Sequence, residues 1–147
     1  AVMLALDGQW LARAGVAPSF IKGVVGLSGP YDFYPFTSDS ARNAFGHVAD
    51  PRITQPINHV RAPAPPMLLL TGDADETVKM RNSKVLAAAL TAAGQPTAPI
   101  VLAGVDHAGP VLKLAAPFMR DRRVIDPVLQ FLAANGGASA TVQAKNR

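Results

Sequence analysis

The stretch Met67-Leu68-Leu69-Leu70-Thr71-Gly72-Asp73-Ala74-Asp75-Glu76-Thr77-Val78 decides the architecture. Four apolar residues in a row, introduced by Pro65-Pro66 and closed by Thr71-Gly72, read as a strand covered on both faces, the habit of parallel sheets. An Asp-rich turn over 73–76 follows. From about Met80, apolar residues at Val85, Leu86, Ala89, Leu90 and Ala93 mark one face of a helix that Gly94 ends, with Arg81, Lys84 and Thr91 elsewhere on its circumference.

Outward from this unit the pattern repeats. Residues 21–28, Ile-Lys-Gly-Val-Val-Gly-Leu-Ser, form a second apolar run ending at Gly29-Pro30. Residues 97–102, Thr-Ala-Pro-Ile-Val-Leu, give a third short strand, whose Pro99 suits an edge or irregular position. Met3, Leu6, Trp10 and Ala14, with Leu4 and Leu11 beside them, predict one buried-face helix over 1–14 stopped by Gly15. A last helix is expected over 121–134, with Val124, Ile125, Val128, Leu129 and Leu132 on one face. Pro127 either kinks it or sits in its first turn behind an Asp126 cap. Between the first two strands lies an excursion over 31–66, rich in Pro, Asp and Ser, with short helices expected at 41–45 and 56–60. The order of elements implies an α/β fold: a three-layer parallel sheet with flanking helices and right-handed crossovers. Residues 135–147 are expected to form a disordered tail.

Composition narrows the function classes. The 147 residues are 49% hydrophobic and 16% charged, a globular balance rather than that of a disordered chain or coiled coil. Fourteen Lys+Arg against ten Asp+Glu give +4, but the basic residues are scattered, so no nucleic-acid face is visible. Without cysteine there are no disulfides, thiolate zinc sites or thiol nucleophile, and the redox compartment stays open. No apolar run approaches the ~20 residues of a membrane span. No secretory signal opens the sequence, and a cytoplasmic protein is the expectation, although Ala1-Val2-Met3-Leu4 reads as the middle of an element.

In open parallel sheets chemistry gathers beyond the carboxyl ends of the strands. Those ends carry Ser28-Gly29-Pro30, Gly72-Asp73-Ala74-Asp75 and Gly104-Val105-Asp106-His107. An acid and a histidine, each just after a strand, converge at one sheet edge. A carboxylate that fixes one imidazole nitrogen leaves the other to take a proton from a hydroxyl. Acid before histidine is the chain order of α/β-hydrolases, whose serine comes earlier.

The motifs are specific enough to name a resemblance. Leu68 to Val78, a strand followed by Gly-x-x-Asp-x-x-Val, resembles the acid loop of α/β-hydrolase esterases, and Val105-Asp106-His107-Ala108-Gly109 is similar to their histidine loop. Gly26-Leu27-Ser28-Gly29-Pro30-Tyr31-Asp32-Phe33 resembles the strand end before the cap-like excursion in bacterial carboxylesterases of the hormone-sensitive-lipase and feruloyl-esterase-like groups. The likeness covers about residues 1–134. It implies Asp75 as catalytic acid, with Asp73 its close competitor, and His107 as general base. One departure is Lys79, where many relatives place proline.

The nucleophile does not appear. No Gly-x-Ser-x-Gly occurs, and Ser28, which comes nearest, has Pro30 in the second glycine's place. In the resembled family the helix after the nucleophile elbow runs directly into the strand ending at Ser28, so the expectation is the C-terminal half of a serine carboxylesterase-like domain. That half would carry acid, base and part of a cap, and would be inactive alone on a small-molecule ester. Its first strand would expose an unpaired edge, open to the missing N-terminal half or to a second copy. No cofactor is expected, and no metal site, because no histidine pair has helical spacing.

Plainer readings stand beside each of these. His107 also suits an exposed turn, and Asp75 a helix cap. His47 and His59 read as structural or surface residues, while Tyr31, Phe33, Tyr34 and Phe36 suit either an acyl pocket or ordinary packing. A non-catalytic α/β binding or assembly module is the alternative for the whole chain.

Overall fold

A computed structural model describes residues 1–114 and 121–136. Three parallel strands, β1 (Val24–Leu27), β2 (Met67–Gly72) and β3 (Ile100–Leu102), lie in the order β1-β2-β3. Val24 pairs with Met67 and Leu27 with Leu70; Leu70 then pairs with Ile100 and Gly72 with Leu102. All three carboxyl ends therefore meet at one edge.

Side-chain alternation along β2 divides the core. Met67 and Leu69 join Val2, Ala5, Leu6, Leu86, Ala87 and Leu90 on one face. Leu68 and Leu70 join Leu102, Val105, Val124 and Val128 on the other. The first cluster brings in helices α1 (Val2–Leu6) and α4 (Arg81–Ala92), and the second brings in α6 (Arg122–Asn135). Helix, sheet and helix make the three expected layers. Leu69, Leu70, Leu86 and Leu90 are sealed from solvent, and burying such a side chain contributes about 1.5–3 kcal/mol each.

Several elements differ from their sequence-based form. The single helix expected over 1–14 is two, α1 and α2 (Gly8–Arg13), broken at Asp7, whose carboxylate caps α2 by accepting from the Gln9 amide at 3.2 Å. The break rotates the apolar stripe, so Val2, Ala5, Leu6 and Leu11 are buried while Leu4 and Trp10 are exposed. Gly15 does stop the segment, at φ +66°. Both outer strands are shorter than their apolar runs.

In α6 the cap is Asp121, which accepts from the Arg123 amide at 2.9 Å, and Pro127 stands inside the helix rather than in its first turn. The stripe facing inward runs through Val124, Val128 and Phe131; Leu129 and Leu132, expected inside, are exposed. A methyl group on Gly23 would meet the Phe131 ring at 2.8 Å, which marks how closely that helix end approaches. Of the tail expected over 135–147, the part from 137 onward lies outside the described residues.

The excursion carries α3 (Asp39–Phe45) and two 3-10 turns, Pro51–Thr54 and Pro56–His59. Its anchors are polar. The Asn82 side-chain oxygen, on α4, accepts from the amides of Tyr31 and Asp32 at 2.9 and 2.8 Å. The buried Gln55 oxygen accepts from Phe33 and Tyr34 at 2.6 and 3.0 Å. Arg81 adds an ion pair to Asp32 at 2.5 Å.

Candidate active site

The turn after β2 shapes its own acid. Asp75 Oδ1 accepts from the backbone amides of Thr77 at 3.0 Å and Val78 at 2.7 Å, leaving Oδ2 to point elsewhere. Oδ2 meets His107 Nδ1 at 2.9 Å. The Asp75 side chain is fully buried, whereas that of His107 is 43% exposed. Burial pushes the Asp75 carboxyl up. The Val78 amide and then the His107 ring pull it down further, and the balance holds it below its ordinary value. An ionised carboxylate only accepts, so the Nδ1 proton belongs to His107 and Nε2 is the basic nitrogen. Among the described residues Nε2 has no hydrogen-bond partner.

The two loops are stitched together by backbone as well. The Asp73 amide donates to Leu102 O and the Ala74 amide to Val105 O, each at 3.2 Å. Asp73, the competing acid, accepts from the Gly104 amide at 2.7 Å, where Gly104 turns at φ +68°. It ties β2 to β3 instead of meeting the histidine. Asp106 accepts from the Gly109 amide at 2.9 Å at the start of α5 (Gly109–Leu112). Lys79, the departure from the resembled pattern, forms an ion pair with Glu76.

His107 opens onto a cleft of about 510 Å³ that also touches Ser28, Gly29, Pro30, Val78 and Leu112. Ser28 directly follows β1, its amide donating to Leu70 O at 2.9 Å and its backbone at φ +46°. It is 3% exposed, and among the described residues its Oγ is the one buried side-chain polar atom without a formed hydrogen bond.

Pro30 and Val78 also belong to the wall of a second cavity, of about 980 Å³, beneath the excursion. Trp10, Phe33, Phe45 and Ile53 line it. Phe33, Phe36 and Phe45 form an aromatic group with ring centroids 5.6–5.9 Å apart, of which Phe33 and Phe45 reach the cavity. Tyr31 is instead buried under β1, where methyl groups on Gly26 or Gly29 would collide with it, and burial pushes its phenol up to about 12.

The remaining histidines stand apart from the pair. His47 is exposed on the cavity wall, and His59 bonds Ile53 O at 2.8 Å through Nε2 and faces Asp7 at 3.8 Å. Among the described residues no group of three or more acids and histidines is placed to hold a metal ion, and no helix is long and apolar enough to cross a membrane.

Sequence reasoning missed Asn82, which ties the start of the excursion to α4, and Gln55, which ties that start to the excursion's own later turns. The available signal was a polar residue in the first turn of an otherwise apolar helix face, and a glutamine directly before Pro56 in a run of short turns.

No curated protein matches the chain. The carboxylesterase Cest-2923 from Lactobacillus plantarum superposes with a TM-score of 0.65 at 20% identity, covering 92% of this chain and 53% of its own. The apo form of Thermogutta terrifontis esterase 2 gives 0.58 at 20% identity, covering 78% of this chain and 41% of that one. The same esterase phosphonylated by sarin gives 0.60 at 18% identity, with 83% and 47% covered. The chain thus spans about half the length of these solved relatives, and its sheet is part of an α/β-hydrolase fold. The model of the prolyl oligopeptidase family matches residues 31–137, nearly three-quarters of the chain, and the protein belongs to that family.

Proposed function

We propose that this chain is the acid–base half of a serine carboxylesterase, with Asp75 as the orienting acid and His107 as the general base. The observation that carries this reading is the 2.9 Å bond from His107 Nδ1 to a buried, ionised Asp75, with Nε2 left toward the cleft. Nε2 takes the proton of a serine hydroxyl as that oxygen attacks the ester carbonyl. It then passes the proton to the departing alcohol, leaving an acyl-serine. Water repeats the sequence, giving its proton to Nε2 and releasing the acid and the serine. Asp75 holds the tautomer and stabilises the imidazolium throughout.

The serine and the oxyanion-hole donors come from sequence outside these 147 residues, in a preceding half that also covers the free edge of β1. Residues 1–134 then form the C-terminal part of the domain, with 31–66 as its cap, and the cavity beneath the excursion accommodates part of the ester. The solved relatives are esterases, which supports an ester substrate. The family match favours a second reading, in which the same pair serves hydrolysis of a peptide amide.

The test is release of nitrophenol from a short-chain nitrophenyl ester, and of nitroaniline from a prolyl anilide. Each is run with the chain alone and with the chain joined to its upstream coding segment. The expected result is no turnover alone, ester turnover in the joined form, loss with His107→Ala, and a fall of about 10⁴-fold in kcat with Asp75→Asn. Anilide turnover in preference to ester would favour the second reading. Turnover by the chain alone that Ser28→Ala abolishes would refute the external nucleophile. An upstream segment lacking Gly-x-Ser-x-Gly would favour a non-catalytic binding module.

A further inference from the structure

The cavity beneath the excursion has a chemistry that the acid–base pair does not dictate. Its walls come from two sides: α2 brings Trp10 and Arg13, and the excursion brings Phe33, Phe45 and Ile53. At about 980 Å³ it has the size of a small-molecule site, and its aromatic walls suit a flat ring. Aromatic faces also attract cations, but that place is taken: the Arg13 guanidinium stands 5.3 Å from the centre of the Trp10 ring. Stacking occupies the face of a guanidinium and leaves its N–H edge able to donate.

That edge has no acceptor. Arg42, Arg52, Arg81, Arg122 and Arg123 are all held in ion pairs, and Arg61 donates to carbonyl oxygens, so among the described residues Arg13 is the one arginine without a polar partner. The one acid among the described lining residues, Asp7, is committed elsewhere. Its oxygens take the Gln9 amide at 3.2 Å and the Gln9 side chain at 2.5 Å, and they face His59 at 3.8 Å. The wall therefore offers a free cation beside aromatic rings, with its negative charge already answered. An anion on a flat ring complements both features.

We propose that this cavity receives the part of the substrate remote from the scissile bond, and that this part is an aromatic group carrying a carboxylate. The ring lies among Trp10, Phe33 and Phe45, and the carboxylate accepts from the Arg13 edge, with His47 on the same wall. Pro30 and Val78 belong both to this cavity and to the cleft at His107, so a ligand held here reaches toward the reacting side of the ring. The ligand's role as substrate rests on the Asp75–His107 reading, whereas its binding does not.

The test titrates the 147-residue chain with 2-naphthoate, with its neutral counterpart 2-naphthamide and with octanoate, an anion without a ring. The readout is the indole N–H signal of Trp10, the chain's only tryptophan, in NMR spectra. 2-Naphthoate should saturate the shift and bind about fivefold more tightly than 2-naphthamide, the scale of a partly exposed ion pair. Octanoate should bind more weakly than 2-naphthoate. Arg13→Gln should bring 2-naphthoate down to the level of 2-naphthamide and leave 2-naphthamide unchanged, Arg13→Lys should keep most of the preference, and Arg122→Gln, on α6, should alter neither probe. If Arg13→Gln fails to fold, the three probes on the wild-type chain decide.

Equal binding of 2-naphthoate and 2-naphthamide overturns the inference, as does a preference that survives Arg13→Gln, octanoate binding as tightly as 2-naphthoate, or the absence of saturation by either naphthyl probe. Binding as expected in a chain whose joined form turns over no ester refutes the acid–base reading alone, a separate failure.

Discussion

Replacing Gly72 with alanine tests whether the acid and histidine loops hold one another in register. Gly72 closes β2, and a methyl carbon there would stand 1.9 Å from the carbonyl oxygen of Val105 and 2.6 Å from its carbonyl carbon. These are backbone atoms, so no flexible side chain can swing aside. Reaching ordinary contact at 3.4 Å requires the Val105 peptide to retreat by about 1.5 Å. That carbonyl accepts from the Ala74 amide, and its residue is buried in the second core cluster, so the retreat loses a hydrogen bond and loosens packing.

Overpacking of about 1–3 kcal/mol and a lost backbone bond of about 1 kcal/mol together give roughly 2–4 kcal/mol. For a domain of this size that lowers Tm by roughly 8–16 °C. His107 lies two residues beyond Val105, and a displacement of this size is enough to break a 2.9 Å bond. The assays are thermal melting by circular dichroism and detection of the hydrogen-bonded Nδ1 proton by NMR. Gly8→Ala, where a methyl group meets nothing within 4 Å, is the control. A Gly72→Ala chain that melts within ~2 °C of wild type and retains the Nδ1 proton would refute the reasoning.

Other outcomes follow from the same structure. Asn82→Ala strands the amides of Tyr31 and Asp32 and should cost about 1–3 kcal/mol in urea unfolding; a loss below ~0.5 kcal/mol would show that water replaces the side chain. Because the folded-state pKa of Asp75 is depressed, its charge stabilises the fold fully above the ordinary value of 3.8, and this contribution is lost as pH falls through the lower folded value. Denaturant unfolding from neutral pH into that acid range should therefore fall more steeply for wild type than for Asp75→Asn, and parallel curves would contradict the assignment. The outer edge of β1 has no strand partner among the described residues, so the isolated chain should self-associate in concentration-dependent sizing. A sharp monomer at every concentration, with one cooperative melt, would count against an edge awaiting another strand.

The parts of the fold that could be read from sequence are those where one physical signal acts alone. Met67 to Gly72 is an unbroken apolar run, and burial on both faces leaves it little choice but a central parallel strand. Asp73, Asp75 and His107 all follow strand ends in a parallel sheet, so topology brings the two loops together, while the preference for Asp75 over Asp73 came from the resemblance. The misread parts are those where two signals compete. Apolar spacing carries a helix through residues 1–14, yet Asp7 caps more favourably than it continues, and the break turns Trp10 outward. Pro127 suits a first turn, but Asp121 provides the better cap one turn earlier. Asn82 and Gln55 act across long separations in sequence, through hydrogen bonds that no periodicity records.

Those two amides carry a consequence for how this molecule can vary. Each side-chain oxygen gathers two consecutive backbone amides, so the entry to the excursion is fixed through main-chain groups whose chemistry does not depend on residue type. The surface beyond them, from Phe36 to Ile53, is free to change in size and character without shifting Pro30 or Val78 beside the acid. Under the proposed function, selection on what fits beneath that segment is thereby uncoupled from selection on proton transfer by the Asp75–His107 pair.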